Sequence, residues 1–338
     1  MTAQLTIIGL GQIGASVGLA LEKHKDKITR FGHDREPEVS RRAQALKAVD
    51  RTFFNLPASV ENSDFILLAL PFNEVQETLQ VIGPCLREGA VVMDTSPIKN
   101  PVAAWARELL PEKCYYVGLS PAINPSYLGS TNTGIEAAHA DLFSKGVIGI
   151  SAPPGTVGEA LKLAADFTSL LDASPLFLDL VEADGMLAVL HLLPQLASAA
   201  LVNLASGRSG WRDTRKLTGR PFNIATQVSS LGEEPGSLAR AAIQGREQLL
   251  PVLDEYIAAL LVCKEMVVSG DEKSLLDWSD QAVQSRSRWL AERTSGDWLA
   301  IDHKVTDVKV VGLGRRLFGD LGKLFSPPKP PPDGKKKE

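Results

Sequence analysis

The 338-residue sequence has few cysteines, little net charge and no regular spacing of metal-binding side chains. Its three cysteines, Cys85, Cys114 and Cys263, are scattered and odd in number, so they predict neither a disulfide framework nor a zinc site. The net charge of −4 gives no overall basic footprint of the kind that binds nucleic acid. The five histidines show no ligand spacing, and no metal is therefore expected.

Signals for export or membrane insertion are also missing from the sequence. No basic segment precedes the short apolar run at residues 5–8, and no uninterrupted apolar stretch is long enough to span a bilayer. The most apolar helical pattern, residues 186–204, contains His191 and Asn203 and is typical of a helix buried in a protein core. These features predict a cytoplasmic protein with no integral membrane segment.

The sequence does contain a glycine pattern directly after its first apolar run. Residues 5–8 predict a strand, and Gly9 then allows a tight turn out of that strand. Gly11 lets the backbone approach a pyrophosphate, and Gly14 lets the following helix pack close to the sheet. Free N–H groups at the start of that helix attract an anion. The pattern therefore predicts a dinucleotide-binding βαβ unit.

An acidic residue ends the second predicted strand. Asp34 lies twenty residues after Gly14, where a carboxylate accepts hydrogen bonds from the adenosine ribose. Arg35 could stack on adenine or bind a 2′-phosphate, which makes NADP possible, but Asp34 would repel that phosphate, so NAD is favoured. The residues expected to bind the cofactor are Gly9, Gly11, Gln12, Ile13, Gly14, Asp34, Arg35, Leu70, Pro71 and Thr95.

Strand and helix patterns alternate up to about residue 150, and helical patterns dominate after residue 152. Near-continuous apolar strands separated by helices are typical of a mostly parallel sheet covered on both faces. We therefore predict an α/β protein in which an N-terminal Rossmann-type dinucleotide-binding domain precedes a C-terminal all-helical domain. The predicted domains are residues 1–152 for dinucleotide binding, 153–300 for substrate binding and dimerisation, and 301–338 for an amphipathic segment and a flexible tail rich in proline and lysine.

A long apolar helix is predicted over residues 237–269. Leu249, Leu253 and Ile257 recur at helical spacing, which favours burial against a second subunit, with packing inside one chain as the alternative. The basic amphipathic stretch at residues 315–325 is compatible with a peripheral membrane contact, a partner surface or an ordinary capping helix. The sequence thus predicts a homodimer built on the helical domain.

Three further patches resemble the prephenate and arogenate dehydrogenases. Residues 94–99 (DTSPIK) are similar to the family's Asp-x-x-Ser-Val-Lys, and residues 118–121 (GLSP) are similar to its Gly-x-His-Pro. Residues 184–194 and 210–215 resemble a helix with Ser-His-Leu-Pro and a later Gly-Phe-Arg/Lys-Asp-x-Thr-Arg. The resemblance covers roughly residues 3–295. It implies oxidative decarboxylation of a small carboxylated substrate by NAD or NADP, on the route to tyrosine.

The resemblance also implies site residues, several at positions where this sequence departs from the family. In the family, the histidine of Gly-x-His-Pro hydrogen-bonds the ring hydroxyl of the substrate, and Ser120 takes its position here. The histidine of the family's Ser-His-Leu-Pro helix aligns with Leu192, one residue after His191. The motif serine aligns with Pro97, beside Ser96. The candidate catalytic residues are Ser120, Lys99, Ser96 and His191, and the candidate substrate ligands are Arg212, Arg215 and Asn124.

Each of these candidates has a structural alternative. Lys99 is a base or polarising group if partly desolvated, and otherwise a surface lysine that opens a helix. Arg212 and Arg215 clamp a carboxylate or form structural ion pairs. His191 lies in an apolar helical pattern, which is equally typical of a core histidine.

Two other functions are compatible with the sequence. Because both family histidines are replaced, the chain is either a dehydrogenase with a remodelled site or a dinucleotide-binding homologue with a regulatory role. The β-hydroxyacid dehydrogenases share the two-domain plan and use a lysine on a helix of the second domain. Here only Lys162 and Lys216 are near that position, and the surrounding glycine-rich pattern is missing, so this alternative is the weakest.

Overall fold

The protein is represented by a computed structural model that describes residues 2–231 and 234–296. Its strands are β1 (Ala3–Ile8), β2 (Ile28–His33), β3 (Arg51–Thr52), β4 (Phe65–Leu68), β5 (Val91–Asp94), β6 (Tyr115–Pro121), β7 (Val147–Ser151) and β8 (Ser174–Leu178). Within the described ranges these strands form one sheet in the order β3-β2-β1-β4-β5-β6-β7-β8. The β6–β7 pair is antiparallel and the other neighbouring pairs are parallel.

α-Helices connect most of the strands and make up most of the described chain after β8. Those that precede β8 are α1 (Gln12–Ala20), α2 (Pro37–Ala45), α3 (Leu56–Val60), α4 (Phe72–Ile82), α5 (Asn100–Leu109) and α6 (Gly158–Leu170). Those that follow β8 are α7 (Leu180–Leu187), α8 (Leu193–Ser206), α9 (Trp211–Thr214), α10 (Arg220–Thr226), α11 (Val228–Leu231), α12 (Pro235–Gln244), α13 (Arg246–Ser269) and α14 (Glu272–Ser295). A π-helical turn, Ala188–Leu192, joins α7 to α8.

Side chains of the central strands alternate between two apolar clusters, one on each face of the sheet. In β4, Phe65 and Leu67 belong to the first cluster, whereas Ile66 and Leu68 belong to the second. Helices α1 and α6 contribute to the first cluster, and α4 and α5 contribute to the second. The sheet is therefore covered on both faces, and the predicted α/β class with a following helical region is confirmed.

The sheet continues beyond the predicted domain boundary. Residue 152 directly follows β7, and α6 then leads to β8, which pairs parallel with β7. The expected segment 301–338, with its amphipathic stretch and its membrane contact, lies outside the described residues.

The single helix predicted over residues 237–269 is wrong, because Gly245 separates α12 from α13. A Cβ atom on Gly245 would lie 3.0 Å from Cγ2 of Ile98, so the junction packs closely against the loop that follows β5. Helical periodicity continues through such a break, which is why the pattern alone did not reveal it.

The most apolar helix is not buried inside one chain. The span Leu180–Ser206 is long and apolar enough to cross a membrane by length and composition, and only 22% of its most apolar window is buried. The prediction that it is a core helix is therefore wrong for the isolated chain. Leu190 and Leu204 on this span are exposed, as are Ile257 and Leu261 on α13. Apolar surface of this extent indicates a further packing partner.

Candidate functional site

The glycine loop between β1 and α1 has the geometry of a phosphate cradle. Gly9 has φ +90°, and a Cβ atom there would lie 2.3 Å from the carbonyl oxygen of Ala69. A Cβ atom on Gly14 would lie 1.9 Å from the carbonyl oxygen of Gly9, whereas one on Gly11 meets nothing within 4 Å. The chain's own packing therefore requires Gly9 and Gly14. Gly11 leaves open space at the start of α1, where a pyrophosphate fits.

Asp34 lies beside this loop at the end of β2. Its Oδ2 accepts a hydrogen bond from the backbone N of Leu10 (2.8 Å), and its Oδ1 accepts one from the backbone N of Glu36 (2.9 Å). These contacts fix the carboxylate at the edge of a cleft of about 670 Å³. The predicted cofactor residues that line this cleft are Gly9, Gly11, Asp34, Arg35, Leu70 and Pro71.

A second cavity of about 680 Å³ adjoins the first, because Gly11, Leu70 and Pro71 line both. It lies at the carboxyl ends of the strands, where ligands of parallel sheets bind. The cofactor candidates Gln12, Ile13 and Thr95 and the catalytic candidates Ser96, Ser120 and His191 line it, whereas the cofactor candidate Gly14 lines neither cavity. Its other walls are mainly apolar and come from residues that the sequence did not single out: Leu176, Leu178, Ala183, Met186, Leu187 and Leu190.

Ser120 contributes a polar atom to this apolar cavity. Its Oγ is buried and has no hydrogen-bond partner among the described residues. The neighbouring strand leaves space beside it, because a Cβ atom on Gly149 would lie 3.2 Å from the Cβ of Ser120. The Oγ of Ser96, by contrast, donates a hydrogen bond to Oδ2 of Asp94 (2.7 Å). Ser120 is therefore the serine available to a ligand.

His191 reaches the cavity through the π-helical turn Ala188–Leu192. Successive residues of an α-helix point about 100° apart, and a π turn holds one more residue than an α turn. The extra residue in the turn rotates the side chains that precede α8 about the helix axis. As a result His191 lines the cavity, while Leu192 is fully buried in the apolar cluster.

Lys99 lies behind the cavity wall and does not line the cavity. Its side chain is fully buried, and its Nζ donates to the carbonyl oxygens of Ser96 (2.6 Å) and Leu119 (2.7 Å). It also lies 3.4 Å from Oδ2 of Asp94. Burial lowers the pKa of Lys99, and the nearby Asp94 and Asp184 oppose that shift. The alternative of a surface lysine is wrong. The ammonium group links the loop after β5 to the end of β6.

The expected substrate ligands are not brought to the cavity by this chain. Arg212 and Arg215 are exposed, and Nε of Arg215 donates to the carbonyl oxygen of Arg212 (3.3 Å). Asn124 is engaged locally, because its Oδ1 accepts from the backbone N of Ser126 (3.0 Å) and its Nδ2 donates to the carbonyl oxygen of Asp141 (3.2 Å). None of the three expected ligands lines either cavity.

Sequence reasoning missed two buried carboxylates behind the site. Asp94 accepts hydrogen bonds from Ser96 and from the hydroxyl of Tyr116 (3.3 Å). Asp184 accepts from the backbone N of Asn100 (3.0 Å), and burial raises its pKa while these hydrogen bonds oppose the shift. The sequence signal that could have revealed Asp184 is the presence of an aspartate within the apolar pattern of α7. Within residues 2–231 and 234–296, no group of three or more histidine, cysteine or carboxylate side chains is arranged to hold a metal ion.

Comparison with known proteins agrees with this geometry. Residues 17–174 match the family model "Prephenate dehydrogenase, nucleotide-binding domain", and residues 181–281 match "Prephenate dehydrogenase, dimerization domain". A cyclohexadienyl dehydrogenase from Zymomonas mobilis is 26% identical over 87% of this chain and 97% of its own length. A prephenate dehydrogenase from Bacillus subtilis is 22% identical over 85% of this chain and 76% of its own length.

Solved structures show the same fold. The prephenate dehydrogenase of A. aeolicus, crystallised with hydroxyphenyl propionate and NAD+, superposes with a TM-score of 0.74 at 20% identity, covering 85% of this chain and 98% of that one. The arogenate dehydrogenase of Synechocystis gives a TM-score of 0.66 at 22% identity, and the superposition covers 85% of this chain and 99% of that one. The chain belongs to the prephenate dehydrogenase family and is an NAD-dependent oxidoreductase with a Rossmann-type cofactor domain.

Proposed function

We propose that this chain oxidises and decarboxylates prephenate or arogenate with NAD, using a site in which Ser120 and His191 stand in for the family's histidines. The names of the relatives support this substrate class. The observation that carries the proposal is that the π turn brings His191 into the apolar cavity lined by Ser120 and adjoining the glycine loop.

The chemistry needs a base, a hydrogen-bonding group and an apolar ring site. NAD, when bound beside the glycine loop, would supply the hydride acceptor for the ring carbon that carries the hydroxyl. A serine is not basic at neutral pH, so Ser120 hydrogen-bonds the hydroxyl and His191 takes its proton. The bond to the ring carboxylate then breaks and carbon dioxide leaves. Its electron pair makes the ring aromatic, and the ring oxygen takes back the proton held by His191. Among the described residues that line this cavity, His191 and Glu234 are the ones with an ionisable side chain.

We also propose that the chain works as a homodimer. Residues 181–281 match a dimerisation domain, and Leu204 and Ile257 within that range are exposed apolar side chains. Within residues 2–231 and 234–296 of one chain, no arginine or lysine lines the cavity, although the substrate carries carboxylates. In the proposed dimer Arg212 and Arg215 of a second copy supply the carboxylate clamp.

Turnover tests this function directly. The purified chain is mixed with NAD and either prephenate or arogenate, and the absorbance of the reduced cofactor is followed. We expect NADH to form with one of the two substrates. His191→Ala should lower kcat by about 10²-fold or more, in the range of general acid–base contributions. His24→Ala serves as the matched control, because His24 lines neither cavity, and it should leave kcat unchanged.

A chain that binds NADH but forms none from either substrate at high protein concentration would overturn the proposal. That result would favour a dinucleotide-binding homologue with a regulatory role. Turnover that His191→Ala leaves intact would overturn the assignment of the base while keeping the reaction.

A further inference from the structure

Arg35 is already engaged by carboxylates in the cleft beside the glycine loop. Its Nη1 donates to Oε1 of Glu74 on α4, and its Nη2 lies 3.5 Å from Oε1 of Glu234, which directly precedes α12. Its Nε lies 4.0 Å from Oε1 of Glu36. The guanidinium therefore faces acids from three separate segments of the chain.

The lining of this cleft is strongly acidic. Among the described residues that line it, Arg35 is the single arginine or lysine, and the carboxylates belong to Asp34, Glu36, Glu74, Glu77 and Glu234. Burial raises the pKa of Glu74, and the negative charges of Glu234 and Asp34 raise it further, while Arg35 opposes them. The charges are thus close enough to influence one another.

This arrangement bears on which cofactor the cleft accepts. An arginine that follows the acidic residue at the end of β2 is well placed to bind the 2′-phosphate of NADP. Such a phosphate is doubly charged and is recognised by paired, charge-assisted hydrogen bonds from arginine. Here it would have to displace Glu74 from Arg35 and also approach the carboxylates of Asp34 and Glu234.

We propose that Glu74, supported by Glu234, is a determinant of selectivity for NAD over NADP, because it occupies the guanidinium of Arg35 that would otherwise bind the 2′-phosphate. The proposal requires the cofactor to lie in this cleft but does not depend on turnover of prephenate or arogenate. Glu74 lies on α4, far in sequence from Asp34 and Arg35. It acts on the cofactor through Arg35.

The test measures the direct binding of NADH and of NADPH to the full chain by fluorescence titration, without substrate. Glu74→Gln removes the charge but keeps the shape, and we expect it to tighten NADPH binding about tenfold, with NADH affinity changed less than about threefold. Arg35→Ala in the Glu74→Gln background should abolish that gain. Glu77→Gln is the matched control, because Glu77 lines the same cleft one turn along α4 and no described ion pair joins it to Arg35.

The possible outcomes separate the proposal from simpler explanations. A gain in NADPH affinity for Glu74→Gln but not Glu77→Gln, which disappears with Arg35→Ala, supports it. An equal gain with Glu77→Gln would show that overall cleft charge, and not the pair with Arg35, sets the preference. No gain with Glu74→Gln, equal wild-type affinity for both cofactors, or no binding of either cofactor would also overturn it. None of these results depends on whether the chain turns over prephenate.

Discussion

The carboxylate of Asp184 on α7 caps the helix that begins at Asn100. Its Oδ2 accepts hydrogen bonds from the backbone N (3.0 Å) and the side-chain Nδ2 (2.9 Å) of Asn100, and its Oδ1 accepts one from the backbone N of Lys99. The first N–H groups of a helix carry partial positive charge and lack partners within the helix, so a buried carboxylate suits them. This contact joins the helical region to the loop that forms the cavity wall.

Replacing Asp184 by asparagine should strongly destabilise the fold. The amide keeps one acceptor oxygen and turns the other into an NH2 donor, which faces the N–H donors of either Asn100 or Lys99 and leaves them buried without an acceptor. We expect Asp184→Asn to lower the free energy of unfolding by about 2–4 kcal/mol, measured by urea denaturation. Asp179→Asn is the matched control, because Asp179 caps the same α7 helix at an exposed position and asparagine caps nearly as well. Equal effects of the two substitutions would contradict this role for Asp184.

The pH dependence of this destabilisation has a defined sign. Burial raises the pKa of Asp184 above its ordinary value of 3.8, so the folded chain holds this proton more tightly than the unfolded chain does. The contribution of the bound proton to stability is complete below pH 3.8 and is lost as the pH rises through the raised pKa. The stability difference between wild type and Asp184→Asn should therefore shrink across that window as the pH increases.

Lys99 is expected to position the site without exchanging a proton with the substrate. Lys99→Met removes the donor to the carbonyl oxygens of Ser96 and Leu119 and leaves Asp94 buried without its cation. We expect stability to fall by about 3 kcal/mol or more, with NADH affinity and kcat falling together. The pH profile of the residual activity should keep its shape. Loss of one pH limb with intact stability would instead make Lys99 the base. Lys162→Met, on the exposed side of α6, is the control.

The glycine loop offers a pair of substitutions with opposite expected effects. Gly11→Ala should fold normally, since a Cβ atom there meets nothing within 4 Å. It should weaken NADH binding about tenfold or more, because the methyl group fills the space for the pyrophosphate. Gly14→Ala should mainly lower the melting temperature, because its Cβ atom would overlap the carbonyl oxygen of Gly9. Differential scanning fluorimetry together with NADH titration separates the two effects, and a destabilised Gly11→Ala would contradict this assignment.

The geometry of the glycine loop and of Asp34 could be predicted from the sequence because its requirements are local. Gly9, Gly14 and Asp34 act within one βαβ unit, where strand, turn and helix follow directly along the chain. The burial of Lys99 could not be predicted in the same way. It depends on Asp184, 85 residues away, which closes over the start of α5.

Contacts between distant segments also explain the other differences. The pairing of Arg35 depends on Glu74 and Glu234, which lie far along the chain. The π turn at Ala188–Leu192 leaves the apolar pattern of the helix almost unchanged, so His191 and Leu192 could not be assigned to opposite environments from periodicity. Gly245 was read as part of a helix for the same reason.

Mixing of inactive subunits tests whether the carboxylate clamp comes from a second copy. His191→Ala and the double variant Arg212→Ala/Arg215→Ala should each be inactive alone. In a mixed dimer, one site contains wild-type His191 from one chain and wild-type arginines from the other. We therefore expect mixing, with exchange of subunits, to restore turnover. If the arginines serve the site of their own chain, every mixed site carries a defect, and activity stays absent.

The central claim is that His191 takes the proton of the substrate hydroxyl and Ser120 only hydrogen-bonds it. The most direct test is the pH dependence of kcat/KM for wild type, His191→Asn and Ser120→Ala. We predict that the wild-type rate falls at low pH, as is typical of general-base catalysis, and that Ser120→Ala keeps this acid limb at a lower rate. His191→Asn should lose about 10²-fold or more and show no such limb. An acid limb that persists unchanged in His191→Asn would contradict the account.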